Sequence, residues 1–136
     1  VKFDDTPPLA GNSDADVVLH AVTNSISSIT GRNILGKIAD RMCLKQGITD
    51  SSEYLKLALQ DLGDWQITHL AVSIECSRPK IAPKIEAMKK SLAQLLKIQK
   101  SEIGITATSG EGLTEFGKGE GIQALSIITV VNNKGE

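Results

Sequence analysis

Aromatic residues are scarce, with one Trp, one Tyr and two Phe among 136 residues. Basic excess is missing too: 15 basic side chains face 16 acidic ones, for a formal net charge of −1. Nucleic-acid surfaces rely on a cationic stripe or on aromatic stacking platforms, so nucleic acid is not an expected partner. Cysteine is limited to Cys43 and Cys76 with no Cys-x-x-Cys pair. That spacing argues against a disulfide framework and against a cysteine zinc finger, and two reduced thiols are expected. No run reaches the ~18 to 20 apolar residues of a membrane span, and the amino terminus has no signal-peptide pattern. The chain reads as soluble, with no membrane partner.

What is present suffices for one core. With 40% hydrophobic residues in 136 positions, residues 1–136 are expected to form a single domain. The chain opens at Val1, without an initiator Met, in a stretch that reads like the end of a strand. A preceding segment is therefore expected.

Pro7, Pro8, Gly11 and Asn12 form a loop, after which Ser13 or Asp14 caps a helix running to about Thr30. Val18, Val22, Ile26 and Ile29 make its apolar stripe; Asp16, His20, Thr23, Asn24 and Ser27 make a polar one. Gly31 to Gly47 has no clear period and reads as a long loop. Asp50 with Glu53 resembles a capping box at the start of a helix to about Leu62. Gln66 to Glu75 alternates Leu70, Val72 and Ile74 as a strand buried on one face. From Pro79, Ile81, Ile85, Met88, Leu92, Leu95 and Leu96 recur at helical spacing. Ile103 to Thr108 and Ile122 to Val131 read as strands separated by a glycine-rich loop. One crossover is too few for a doubly wound sheet, so the pattern predicts an α+β fold. Its two layers would be a mixed β-sheet and helices on one face.

Four constellations could carry chemistry. His20 sits one turn from Asp16 and Asn24, which provides possible hydrogen-bond partners for a metal-bound imidazole. The spacing equally suits a structural histidine, since catalytic zinc needs about three protein ligands. His69, in a strand without a paired ligand, reads as structural or surface. Ala107-Thr108-Ser109-Gly110-Glu111 places hydroxyls, backbone N–H groups and a carboxylate where a strand ends, suited to phosphate and Mg²⁺ or simply to a turn. Gly117-Lys118-Gly119-Glu120-Gly121 allows close backbone approach and matches no nucleotide motif, so a tight turn is the simpler reading. Ser77-Arg78-Pro79-Lys80-Ile81-Ala82 leads from a strand into a helix, where free N–H groups and Lys80 would favour an anion; a connecting turn with a solvated lysine suits the segment equally.

In order along the chain these segments resemble the 2-C-methyl-D-erythritol 2,4-cyclodiphosphate synthase family. Asn12-Ser13-Asp14-Ala15-Asp16-Val17 followed by His20 is similar to its His-Ser-Asp-Gly-Asp-Val segment and zinc-binding His. Arg78-Pro79-Lys80 is similar to its Ala-Pro-Lys turn. Thr108-Ser109-Gly110-Glu111 and Gly117-Lys118-Gly119-Glu120-Gly121-Ile122 are similar to its Thr-Thr-Thr-Glu loop and Gly-Arg-Gly-Glu-Gly-Ile segment.

The resemblance implies a homotrimer with active sites between subunits, in the bacterial cytoplasm or plastid stroma. It also implies a metal-dependent phosphorus-oxygen lyase that cyclises 4-diphosphocytidyl-2-C-methyl-D-erythritol 2-phosphate and releases CMP. By the same resemblance His20 would bind Zn²⁺, and Glu111 the Mg²⁺ or Mn²⁺ that bridges the diphosphate. Asn12 and Ser109 would be catalytic. Ser13 would hold the methylerythritol phosphate, and Gly36 would lie in the substrate loop. Cys76 to Ala82, with Ala107, would line the cytidine pocket. Thr108, Ser109, Gly110 and Lys118 would contact phosphates. An Asp-x-His zinc pair and a first strand are expected ahead of Val1. The chain departs from the family pattern at Asn12, which stands for a His, at Ile34, which stands for an Asp, and at Lys118, which stands for an Arg. The first two keep open a catalytically silent trimer that binds cytidine nucleotide or isoprenoid diphosphate.

Overall fold

The computed structural model describes residues 13–46, 50–75, 84–108 and 122–132, excepting the side chains of residues 13–15 and 45–46. The elements are α1 (Ser13–Thr30), α2 (Lys37–Gln46), α3 (Ser51–Gln60), β1 (Trp65–Glu75), α4 (Ile85–Leu96), a 3-10 turn (Lys100–Glu102), β2 (Ile103–Thr108) and β3 (Gln123–Asn132). The strands form one sheet in the order β2-β1-β3. β1 pairs parallel to β2, with α4 in the crossover, and antiparallel to β3. The mixed α+β sheet expected from the sequence is present.

Alternate residues of the sheet meet the helices. Leu70, Val72 and Ile74 of β1 and Ile103 and Ile105 of β2 are buried beside Val18, Val22 and Ile26 of α1 and Met88, Leu92 and Leu96 of α4 in one core. Val22 and Ile26 are fully buried, and each such side chain contributes about 1.5–3 kcal/mol relative to exposure. A bulge between Ile67 and His69 shifts the phase of β1. It lets Ile67 and Leu70, three positions apart, both reach the core. The helices cover this face of the sheet. On its other face Leu125 and Ile127 are 64% and 71% exposed.

α1 extends over the residues its periodicity predicts. Its polar stripe, however, is only partly exposed: His20 and Asn24 face solvent, whereas Thr23 and Ser27 are buried. Thr23 satisfies its hydroxyl by donating to the carbonyl of Leu19 at 2.7 Å, and Ser27 accepts from the Ile34 N–H at 3.4 Å. Gly31, at φ +82°, ends the helix by donating its N–H to the Ser27 carbonyl at 2.8 Å.

The expected loop at 31–47 contains α2. Its buried or half-buried aliphatic positions are few, Ile38, Ala39 and Met42, they are interspersed with Lys37, Asp40 and Arg41, and Leu44 faces solvent, so the amphipathic signal is short. Packing of Ile38, Ala39 and Met42 on the core supplies what the local sequence does not. Ile34, just before α2, is completely buried.

α3 buries Tyr54, Leu55 and Ala58 at helical spacing and is capped by Asp50, whose carboxylate accepts from the Ser52 N–H at 2.9 Å and hydroxyl at 2.8 Å. Glu53, the expected reciprocal partner, accepts instead from Lys56 at 3.1 Å. Arg32 donates to Asp61 at 2.9 Å and ties the ends of α1 and α3 together. The helix expected from Pro79 is described from Ile85 onward, and its proposed start lies outside the described residues.

The Ser52 backbone N–H, and then its hydroxyl, hold the Asp50 carboxyl below its ordinary value. A carboxyl depressed in the folded state stabilises it fully above the unfolded value of about 3.9, and that contribution fades as pH falls through the lower folded value. Asp50→Ala should therefore cost about 0.5–2 kcal/mol at neutral pH. In urea titrations the gap from the parent should narrow on acidification below about pH 4; a gap independent of pH would contradict this.

Candidate functional site

His20 is exposed on α1, one turn after the half-buried Asp16. The apolar stripe of α1 faces the core, which turns position 20 outward. The helix is pinned at this level from below: the Ser126 hydroxyl of β3 donates to the Ala21 carbonyl at 2.9 Å, and Ser25 donates to the Ser126 carbonyl at 3.0 Å. The two serine hydroxyls also touch each other.

From the side, α3 reaches the imidazole. The Ser51 hydroxyl and His20 Nε2 lie 3.1 Å apart and share a hydrogen bond, leaving Nδ1 as the ring nitrogen that Ser51 does not engage. Ser51 is only 3% exposed. A serine hydrogen-bonded to histidine suggests a nucleophile and its base, but an attacking hydroxyl needs access that this one lacks. The pair holds a ring in place.

A second feature lies at the carboxyl ends of β1 and β2. The register sets Ile74 beside Ala107 and Glu75 beside Thr108, and Gln123 of β3 pairs with Glu75 from the other side. Ala107 and Thr108 are exposed there. The chain leaves β1 and β2 at neighbouring positions, at the carboxyl end of parallel strands, where α/β layers bind ligands. A groove of about 860 Å³ lies at the opposite end of β1, lined by residues such as Lys56, Gln60, Trp65, Gln94 and Lys97. None of the expected site residues lines it.

The YgbB family profile matches residues 1–131. The chain belongs to the YgbB family. It is 50% identical over 131 residues to the 2-C-methyl-D-erythritol 2,4-cyclodiphosphate synthase of Chlamydia caviae, a match that covers 96% of this chain and 74% of that protein. Two solved structures share the fold. The bifunctional IspDF of Campylobacter jejuni has a TM-score of 0.76 at 24% identity, over 85% of this chain and 32% of that one. The IspF of Plasmodium falciparum, solved as a CDP complex, has a TM-score of 0.71 at 19% identity, over 85% and 70%.

For the metal that the cyclodiphosphate synthase resemblance implies, the donor chemistry at His20 fits a single ligand: one ring nitrogen is held by a hydroxyl and the other is left over. Among the described residues no three His, Cys, Asp or Glu side chains gather to complete a site. Of the expected substrate residues, Gly36 is exposed at φ +115° between α1 and α2, and Ala107 and Thr108 stand at the strand ends. The backbone of Ser13 opens α1. Asn12, Cys76 to Ala82, Ser109, Gly110, Glu111 and Lys118 lie outside the described residues. Among the described residues His20 is hydrogen-bonded to α3 and not to the β1–β2 end. Sequence reasoning missed Ser51, because its contact spans 31 positions and no periodicity within one helix signals it.

Ile34, which the resemblance sets in the place of an Asp of the substrate loop, has a fully buried side chain. Ile34→Asp would place an unpaired carboxylate in the core and should destabilise the fold by at least about 3 kcal/mol. Urea denaturation checks this, and an unchanged midpoint would show that position 34 faces solvent.

Proposed function

We propose that this chain is a 2-C-methyl-D-erythritol 2,4-cyclodiphosphate synthase. It converts 4-diphosphocytidyl-2-C-methyl-D-erythritol 2-phosphate into the cyclic diphosphate and CMP. The observation that carries this reading is the 50% identity to a protein of that name across 96% of the chain. In the reaction an oxygen of the 2-phosphate attacks the β-phosphorus, a new P–O bond forms, and the bond to the CMP oxygen breaks. No protein nucleophile is needed, in keeping with the inaccessible Ser51 hydroxyl.

Catalysis is then a matter of positioning and charge. Thr108 and Ser109 donate hydrogen bonds to diphosphate oxygens, and Asn12 and Ser109 stabilise the reacting centre. Ser13 and Gly36 position the methylerythritol phosphate. Residues 76–82 with Ala107 form the cytidine pocket, in which Lys80 supplies a cation. Lys118 offers a point charge where the family carries an arginine fork. His20 would hold zinc, together with ligands beyond the described residues, and Glu111 would hold magnesium or manganese. When bound, these ions supply neutralisation of phosphate oxygens.

A homotrimer in the bacterial cytoplasm completes the proposal. The exposed Leu125, Ile127 and Val131 on the uncovered sheet face support burial against further copies. No helix among the described residues is long and apolar enough to cross a membrane.

Incubating metal-loaded full-length protein with the cytidyl substrate should release CMP, and excess chelator should abolish release. Tight CMP binding without turnover would select the catalytically silent alternative. Leu125→Asp should place a charge on the buried face of the assembly and shift the sedimentation coefficient from trimer towards monomer. An unchanged parent-like trimer would remove that face from the interface.

A further inference from the structure

The Ser51–His20 contact joins two helices at a point where the reaction scheme above uses only one of them. Ser51 is the first residue of α3. Its place is fixed by the Asp50 cap beside it and by the burial of Tyr54, Leu55 and Ala58 on the same helix. With 3% exposure, the Ser51 residue is shielded from bulk water, which would otherwise compete for the histidine. His20 is exposed, and the hydrogen bond to Ser51 is the restraint that α3 places on its ring. The two ring nitrogens are not equivalent. A neutral imidazole carries one N–H and one lone pair, and the hydrogen bond made by one nitrogen decides what the other offers.

We propose that Ser51 is a positioning residue that fixes the His20 imidazole with its proton on Nε2 and its lone pair on Nδ1, directed to a divalent metal. In this arrangement Nε2–H donates to the Ser51 hydroxyl oxygen across the 3.1 Å contact. Ser51 touches neither substrate nor metal and acts through the ring it orients. The assignment rests on the reading of His20 as a metal ligand. It adds that the ligand is prepared before the metal arrives, by a residue on a different helix. Loss of such a partner costs about 10- to 100-fold in metal affinity in comparable sites.

The test uses full-length protein and zinc alone, with two readouts. Competition against a zinc-binding dye gives the dissociation constant for the parent, Ser51→Ala, Ser51→Thr and His20→Ala. A long-range ¹H–¹⁵N correlation spectrum of the metal-free parent gives the His20 tautomer. The expected results are an Nε2–H tautomer in the parent, zinc affinity about 10- to 100-fold weaker in Ser51→Ala, and recovery of most of that loss in Ser51→Thr, which restores the hydroxyl. An Nδ1–H tautomer in the metal-free parent would overturn the proposal without recourse to any variant. Zinc binding lost in His20→Ala but unchanged in Ser51→Ala would overturn the role of Ser51 and leave His20 a ligand. Zinc binding unchanged in both variants would overturn the ligand reading as well.

Discussion

The seating of α1 on the sheet is the interaction on which the rest depends. Val18, Val22 and Ile26 enter the core beneath the helix. The polar contacts of Ser126 with Ala21 and Ser25 fix its axial position over β3. Apolar burial supplies most of the driving force but tolerates sliding, because it is not directional. The serine contacts are directional and set one register. His20 neighbours Ala21, so the same contacts that settle the helix settle where the imidazole leaves it.

α3 depends on that seating in turn. It packs against α1, is joined to its end by Arg32 and Asp61, and presents Ser51 to the ring. The Asp50 cap fixes the first turn of α3, so a local helix-start signal has a consequence at a site on another helix. The sheet divides the remaining work between its faces and ends. One face carries the helices, the other offers Leu125, Ile127 and Val131, and the carboxyl ends of β1 and β2 bring Glu75 and Thr108 side by side.

The elements legible in the sequence were those whose signal is local. α1, β1, β2 and β3 follow from period and from punctuation such as Gly31, and the cap of α3 follows from Asp50. α2 was not legible: a few apolar positions among charged ones do not distinguish a short helix from a loop, and its stability comes from the core it touches. The burial of Thr23 and Ser27 was hidden for a related reason, since hydroxyls that bond to Leu19 and Ile34 can enter a core that their residue type would exclude. The bulge at Ile67 and His69 depends on pairing with β3, far along the chain. Of the proposed site, the solvent-facing position of His20 on its helix and the place of Thr108 at a strand end could be read from the sequence pattern. Ser51 could not, because a contact between helices leaves no trace in the pattern of either.

Under the proposed function His20 would join the architecture to the chemistry: a core helix turns it outward, and a buried serine holds one of its nitrogens. The most direct measurement is anomalous scattering at the zinc edge from crystals of the full-length protein grown with zinc. The account predicts a peak about 2.0–2.1 Å from Nδ1 of His20, with Ser51 still bonded to Nε2. A peak on Nε2, or zinc bound elsewhere with His20 free, would contradict it.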